Sequence, residues 1–249
     1  DGVTYKSVLK TTGESYTNRT IDLRNNQLME ATIEPATDEE IQNTIKVMGG
    51  EDWILWIKAL KEAGVLADGA KTVAYSYIGP ELTYPIYKEG SIGQAKKDLY
   101  ASADKIQAEI DGVEAYVSVN KAVVTQSSAA IPIVPLYLAI LFKVMKEQKV
   151  QEGCIEQMYR MIHDRLCNGG AVVTDENRLI RMDDWEMEPK VQEAVAEIWQ
   201  KIDQDNLEEV TDLEGYWQEF YEIFGFRIDG VDYGADVDAD VQIPSIAAE

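Results

Sequence analysis

Apolar residues recur along this chain in two rhythms, and the change from one to the other divides it into elements. The first 35 residues read as polar and irregular. They close on Glu34-Pro35-Ala36-Thr37-Asp38-Glu39-Glu40, where Thr37 has the form of an N-cap followed by acids in the first helical turn. A helix is predicted over 38–48. Gly49-Gly50 breaks it, and Glu51-Asp52-Trp53 opens a second helix in which Trp53, Trp56, Ile57, Leu60 and Val65 mostly keep helical spacing. Lys71–Tyr77, rich in β-branched and aromatic residues and stopped by Gly79-Pro80, predicts a strand, as does Val113–Asn120. A helix from about Gly93 to Ile110 lies between them. A polar crossing, 121–128, leads into an apolar helix at 131–148. Beyond Glu152 the spacing is helical near 152–167, 189–202 and 212–224, with a short hairpin expected around Ala171–Met182.

Strand, helix, strand, helix is the rhythm of a parallel sheet covered by helices, so the fold class expected is α/β, part of a doubly wound Rossmann-like sheet with additional carboxy-terminal helices. Two strands are too few for a complete doubly wound sheet. No Gly-x-Gly-x-x-Gly occurs, and Gly90-Ser91-Ile92-Gly93 is only a fragment of it. The chain therefore reads as the second half of a larger α/β unit.

Composition narrows the partners. Forty-five acidic against 23 basic residues give a net charge of −22, which opposes binding to nucleic acid or anionic membrane surfaces. The most apolar stretch, Ala129–Phe142, contains Pro132 and Pro135 and is too short to cross a bilayer core of roughly 30 Å, so it is read as a buried helix. Cys154 and Cys167 fit no zinc or disulfide framework and read as free thiols in a reducing compartment. Asp1-Gly2-Val3-Thr4 has neither the basic start nor the apolar run of a signal peptide, and the true start is expected upstream because no initiating Met is present. The five aspartates of Asp229–Asp240 lack the order of a calcium loop and read as a solvated segment, and Asn18-Arg19-Thr20 as a chance glycosylation triplet.

For chemistry, Tyr87 and Lys96 stand out, eight residues apart with Gly90 and Gly93 between them. A phenol of pKa about 10 is a poor acid until a nearby ammonium favours its ionised form. By residue type alone the pair reads as an anchored aromatic and a solvated charge. The single histidine, His163, lies in an amphipathic helix beside Asp164 and Arg165 with no nucleophile around it, and reads as a surface residue. No metal site is expected.

The surrounding words are more specific. Ala74-Tyr75-Ser76-Tyr77-Ile78-Gly79-Pro80-Glu81, then Tyr87, Gly90, Ile92-Gly93 and Ala95-Lys96, resemble the Tyr-x8-Lys signature of trans-2-enoyl-CoA reductases and the related FabV-type enoyl-carrier-protein reductases. Lys46-Val47-Met48-Gly49-Gly50-Glu51-Asp52-Trp53, Val124–Pro132, Gly153–Met158 and Asp183-Asp184-Trp185-Glu186 agree in order and spacing, so the resemblance runs from the first residues to about Val241.

The resemblance implies an NADH-dependent oxidoreductase that reduces the C2=C3 bond of a trans-2-enoyl-CoA or enoyl-carrier-protein thioester in fatty acid synthesis. Tyr87 would be the catalytic tyrosine, and Lys96, rather than Lys97 on another face of the helix, would bind the cofactor's ribose and tune Tyr87. Val123, Val124 and Thr125 would contact the nicotinamide end, and Tyr77 the substrate near its thioester carbonyl. Val134, Leu138, Phe142 and Met145 share a helical face that fits ordinary core packing, which the resemblance places beside the acyl pocket with Leu138 and Phe142 as its lining. Residues 1–150 would be the catalytic half of the reductase domain and 151–249 a helical extension packed on it, with the phosphate loop and the residues choosing NADH over NADPH before Asp1. A monomer or weak homodimer in the cytoplasm, or in mitochondria if eukaryotic, completes the expectation. Two rivals stay open: a ketoacyl or alcohol dehydrogenase using the same Tyr and Lys, and a non-catalytic acyl-thioester-binding fragment.

Overall fold

The computed structural model describes residues 2–238 and 240; Asp1 and Val241, the limits of the resemblance, lie outside them. The fold class is the expected α/β. Its centre is a parallel sheet of β3 (Ala70–Ser76), β4 (Val113–Val119) and β5 (Leu179–Arg181), in that order, with Ala70 level with Val113 and Val117 level with Leu179. Between β3 and β4 runs the 19-residue helix α3 (Ser91–Glu109), and α1 (Asp38–Met48) and α2 (Glu51–Glu62) pack against α3. Helix α1 begins where its cap predicts: Thr37 Oγ1 accepts from the Glu40 N–H while the Glu40 carboxylate accepts from the Thr37 N–H, satisfying two otherwise orphan donors.

Two sequence expectations are corrected. The first 35 residues are not irregular: β1 (Tyr16–Asp22) and β2 (Gln27–Ile33) form an antiparallel hairpin with Tyr16 opposite Ile33. Only Thr20, Ile21 and Ile33 of the two strands are buried, so one face is wet and the strands read as polar. The segment around Ala171–Met182 is not a hairpin. Its three-residue β5 pairs in parallel with β4, and three residues are too few to show a period.

The largest core surrounds α5 (Val134–Glu147), whose residues from Val134 to Phe142 are all buried. A helix apolar on every side has to be enclosed on every side. The short α4 (Gln126–Ala130), α7 (Pro189–Lys201), α9 (Leu213–Glu222) and β1 pack against it. The remaining elements are α6 (Cys154–Arg160), which continues as a π-helical turn over Met161–Leu166, and the single-turn α8 (Leu207–Val210). Cys154 and Cys167 are free and exposed, His163 is exposed and pairs with Asp164, and no helix among the described residues is long and apolar enough to cross a membrane.

The hairpin holds the start of α5. Ile133, immediately before α5, has φ of 75°, a strained backbone for a β-branched residue, and is fully buried. Its N–H donates to Thr20 Oγ1 of β1 at 3.1 Å. Arg19 of the same strand donates to the carbonyls of Trp199 and Ile202 at the end of α7, at 2.7 and 3.1 Å, where the helix leaves its carbonyls unpaired. Replacing Thr20 by the isosteric valine leaves the Ile133 N–H buried without an acceptor. The expected loss is about 1–3 kcal/mol of unfolding free energy, read from urea denaturation of Thr20→Val against the parent chain.

Candidate active site

In an open parallel sheet, ligands bind beyond the carboxyl ends of the strands, because there the chain turns away and leaves a crevice. Each strand here delivers residues to that edge. Ser76 ends β3 and Tyr77 follows it, Asn120 to Thr125 follow β4, and Glu186 comes five residues after β5. A pocket of about 280 Å³ opens at this edge, and Tyr77, Tyr87, Lys96, Val123, Thr125 and Leu138 all line it. A larger cavity of about 460 Å³ lies beyond Tyr137, against Leu82 and Trp199, but no cationic side chain lines it.

The Tyr87 and Lys96 side chains reach the pocket from either side of a tight turn. The Tyr87 N–H donates to the Thr83 carbonyl at 2.9 Å, and α3 starts at Ser91 and carries Lys96 in its second turn. A Cβ at position 93 would collide with the carbonyl oxygens of Tyr87 and Lys88. The glycine there lets the tyrosine loop fold directly onto the helix, which is why eight residues, rather than one helical turn, separate the pair. Lys97 is exposed and, among the described residues, bonds Gln94 at 3.4 Å.

Electrostatics set the protonation states. The Tyr87 ring is buried and its hydroxyl bonds no group among the described residues; burial pushes its pKa up to about 12, so it holds its proton at neutral pH. Lys96 Nζ donates to Ser76 Oγ at 3.0 Å, and Ser76 Oγ also bonds the Tyr100 hydroxyl at 2.9 Å. Burial pulls Lys96 down to about 8. The ammonium is thus tethered to Ser76, and desolvation, not a lysine, dominates the state of Tyr87.

Tyr77 stands perpendicular to Tyr87, with ring centroids 5.1 Å apart. Its hydroxyl donates to Glu186 Oε1 at 3.1 Å, and burial together with that carboxylate pushes its pKa well above the usual phenol range. Val124 and Phe142 stand behind the pocket rather than on its wall. Both are buried in the core around α5, and the Lys121 ammonium sits 5.3 Å from the centre of the Phe142 ring. Thr125 is exposed and caps α4, accepting from the Ser128 N–H at 2.9 Å.

Sequence reasoning gave no role to Ser76, Lys121, Tyr137 or Glu186. The fully buried Lys121 donates to the Ala122 carbonyl at 2.9 Å. The turn that carries Glu186 is clamped by Arg160, which binds Glu152 through two bonds of 2.6 and 2.9 Å and Asp184 at 2.8 Å, and lies over the Trp185 ring at 4.1 Å. The Asp183-Asp184-Trp185-Glu186 word was the one signal available for it.

Fold and pocket define the class: a Rossmann-like α/β protein with a tyrosine and a half-buried lysine at the carboxyl edge of its parallel sheet. The family model described as the trans-2-enoyl-CoA reductase catalytic region matches residues 1–167, and one described as an enoyl reductase FAD binding domain matches 174–237. The chain belongs to the trans-2-enoyl-CoA reductase family. It is 52% identical to the NADH trans-2-enoyl-CoA reductase of Ruminiclostridium cellulolyticum and 51% identical to the NADH enoyl-carrier-protein reductase of Cytophaga hutchinsonii, in each case over 98% of this chain and 62% of the relative. The crystal structure of Treponema denticola trans-2-enoyl-CoA reductase in complex with NAD superposes with a TM-score of 0.91 at 49% identity, over 95% of this chain and 59% of that one. The chain thus spans about three-fifths of the length of these relatives.

Residues 174–237 do not fit a flavin dinucleotide. Its pyrophosphate calls for free cations or a glycine-rich turn. Here Arg178, Arg181, Lys190, Lys201 and Arg227 are each paired with a carboxylate, and no Gly-x-Gly-x-x-Gly turn is present.

The shifted lysine has a consequence for stability. A lysine held at about 8 in the folded protein and near 10.4 when unfolded binds fewer protons folded than unfolded between those values, so its contribution to stability rises with pH across that window. Below about pH 8 the lysine is charged in both states and its burial is a constant cost. Measured by urea unfolding, the parent is expected to gain stability relative to Lys96→Met between about pH 7 and about pH 10.

Proposed function

We propose that this chain supplies the substrate pocket and catalytic groups of an NADH-dependent reductase acting on the C2=C3 bond of trans-2-enoyl thioesters, carried on CoA or on a carrier protein. The observation that carries the reading is the Tyr87 hydroxyl, protonated, without a partner among the described residues, and facing a pocket that also holds the Lys96 ammonium. Relatives with the same reaction in their names, at 51–52% identity, support it.

The residues present fit the nicotinamide and ribose end of the cofactor. Lys96 is fixed by one bond to Ser76 and has further N–H bonds to offer ribose hydroxyls. Val123 and Thr125 line the same wall and would face the nicotinamide, with Val124 supporting them from the core. The part of the relatives beyond this chain's span would supply the phosphate loop. NADH, when bound, supplies the hydride that adds to the β-carbon. As negative charge grows on the thioester oxygen, Tyr87 donates a hydrogen bond to it and supplies the proton that completes the α-carbon. The phenolate left behind is raised in energy by the burial that holds Tyr87 near 12, so it recovers a proton from solvent. Tyr77 lies against Tyr87 at the thioester end, and Leu138 forms the apolar wall toward the acyl chain, with Phe142 one turn beneath it. In this reading 1–150 carries the catalytic groups and 151–249 braces them. The two free cysteines and the acidic charge support a cytoplasmic setting.

NADH oxidation with crotonyl-CoA tests this in the chain as given, in a form extended upstream to the length of its relatives, and in the extended Tyr87→Phe variant. The extended form is expected to turn over, and Tyr87→Phe to lose on the order of 10²–10⁴-fold in kcat while still binding NADH. NADH binding by the extended form and not by the short chain assigns the added length to cofactor binding. A Tyr87→Phe variant as active as its parent, or acetoacetyl-CoA reduced in place of crotonyl-CoA, would overturn the reading.

A further inference from the structure

The third strand brings to this edge of the sheet a group that the proposed chemistry leaves unused. Glu186 has no exposure to solvent, yet it is an acid standing directly behind the pocket wall that Tyr77 and Ala122 help form. Its Oε1 accepts from the Tyr137 hydroxyl at 2.6 Å and the Tyr77 hydroxyl at 3.1 Å, and its Oε2 accepts from the Ala122 N–H at 2.7 Å. The direction of these bonds is fixed. A backbone N–H can only donate, and the Tyr137 oxygen already accepts from Gln192 Nε2 at 3.2 Å, which leaves its proton for Glu186. Gln192 also donates to the Glu186 main-chain carbonyl at 2.7 Å, so the residue is held at both ends. Three donors converging on two oxygens is the environment of a carboxylate with an acceptor on each oxygen.

Resting on the assignment of this pocket to enoyl thioester reduction, we propose that Glu186 is a positioning residue that acts through Tyr77. Tyr77 follows the end of β3, where no ladder partner fixes its side chain, and its hydroxyl donates to the Glu186 carboxylate. That bond sets the Tyr77 ring perpendicular to Tyr87 and decides what the phenol presents to the thioester end of the pocket. Tyr137, Gln192 and Ala122 aim the carboxylate; none of these three needs to touch substrate. The negative charge is required rather than the shape: glutamine at 186 offers one acceptor and one amide donor, so either the Ala122 N–H or the pair of phenols meets a donor where it needs an acceptor.

Steady-state kinetics of the extended form, with crotonyl-CoA and NADH, compare the parent with Glu186→Gln, Glu186→Asp, Tyr77→Phe and the Glu186→Gln/Tyr77→Phe double variant. The expected result is a fall in kcat of roughly tenfold for Glu186→Gln with KM for NADH unchanged, and a further change of less than about twofold when the same substitution is made in the Tyr77→Phe background. Glu186→Asp keeps the buried charge but draws it back from Tyr77, so it falls between parent and Glu186→Gln and serves if the glutamine variant does not fold. A folded Glu186 variant with the parent's kcat, or losses that multiply in full in the double variant, would overturn the proposal, since a purely structural residue lowers activity independently of Tyr77. If the parent is active and Tyr87→Phe is not, those outcomes sink this inference alone. An extended parent that does not reduce crotonyl-CoA sinks the pocket assignment and this inference with it.

Discussion

A helix that is apolar around its whole circumference cannot stand at a surface, and α5 imposes that constraint on everything near it. Hydrophobic burial has no direction, so the helix could be enclosed in many ways. What singles out this one are the few polar bonds at its ends and sides. Thr20 of the hairpin receives the N–H of the strained Ile133 just before its first turn, and the Asp212 N–H, at the start of α9, donates to the Ala139 carbonyl at 2.8 Å. Tyr137, fully buried in the first turns of α5, sends its hydroxyl to Glu186. The core helix is therefore also the back wall of the pocket, and Leu138, next to Tyr137, is the point where packing becomes site.

The carboxyl edge of the sheet sorts its ionisable groups by what surrounds them. Tyr87 has only burial acting on it and stays a protonated phenol. Lys96 shares the desolvation but has Ser76 as a tether, which holds a cation where it can still give up its charge near neutrality. Glu186 is buried most deeply of all; burial raises its pKa, against the opposing pull of the Tyr137 and Ala122 hydrogen bonds and the Lys121 charge. One acid, one phenol and one ammonium thus gather around the carboxyl edge of the sheet with different proton affinities, and each affinity follows from its neighbours rather than from residue type.

How far the sequence could be read follows the same division. The helices were legible because their apolar stripes and caps are local: α1 begins and ends at the residues that Thr37 and Gly49 mark. Tyr87 and Lys96 were singled out by the resemblance of the words around them, and the glycines between them shape the turn that brings both to one pocket. The hairpin was hidden because its wet face is polar, and β5 because three residues carry no period. Glu186 was hidden for a deeper reason. In a run of acids beside a tryptophan it looks like a surface charge, and only the return of the chain to the sheet through β5 makes it a buried acceptor. Phe142 shows the converse: it shares a helical face with Leu138, yet one turn further along that face is already core.

The return through β5 also bears on how the molecule comes into being. Tyr77 and Glu186 are 109 positions apart and Thr20 and Ile133 are 113, so the pocket and the helix behind it are held by contacts between distant parts of the chain. As the polypeptide emerges from the ribosome, β3, α3 and β4 can pair while Glu186 is still unmade, and contacts of such separation slow the search for the native arrangement. Until β5 docks, the Tyr77 phenol does not meet the Glu186 carboxylate and β4 keeps an open edge, a template for pairing with other chains. The step that brings Glu186 to Tyr77 is then also the step that covers this edge of β4.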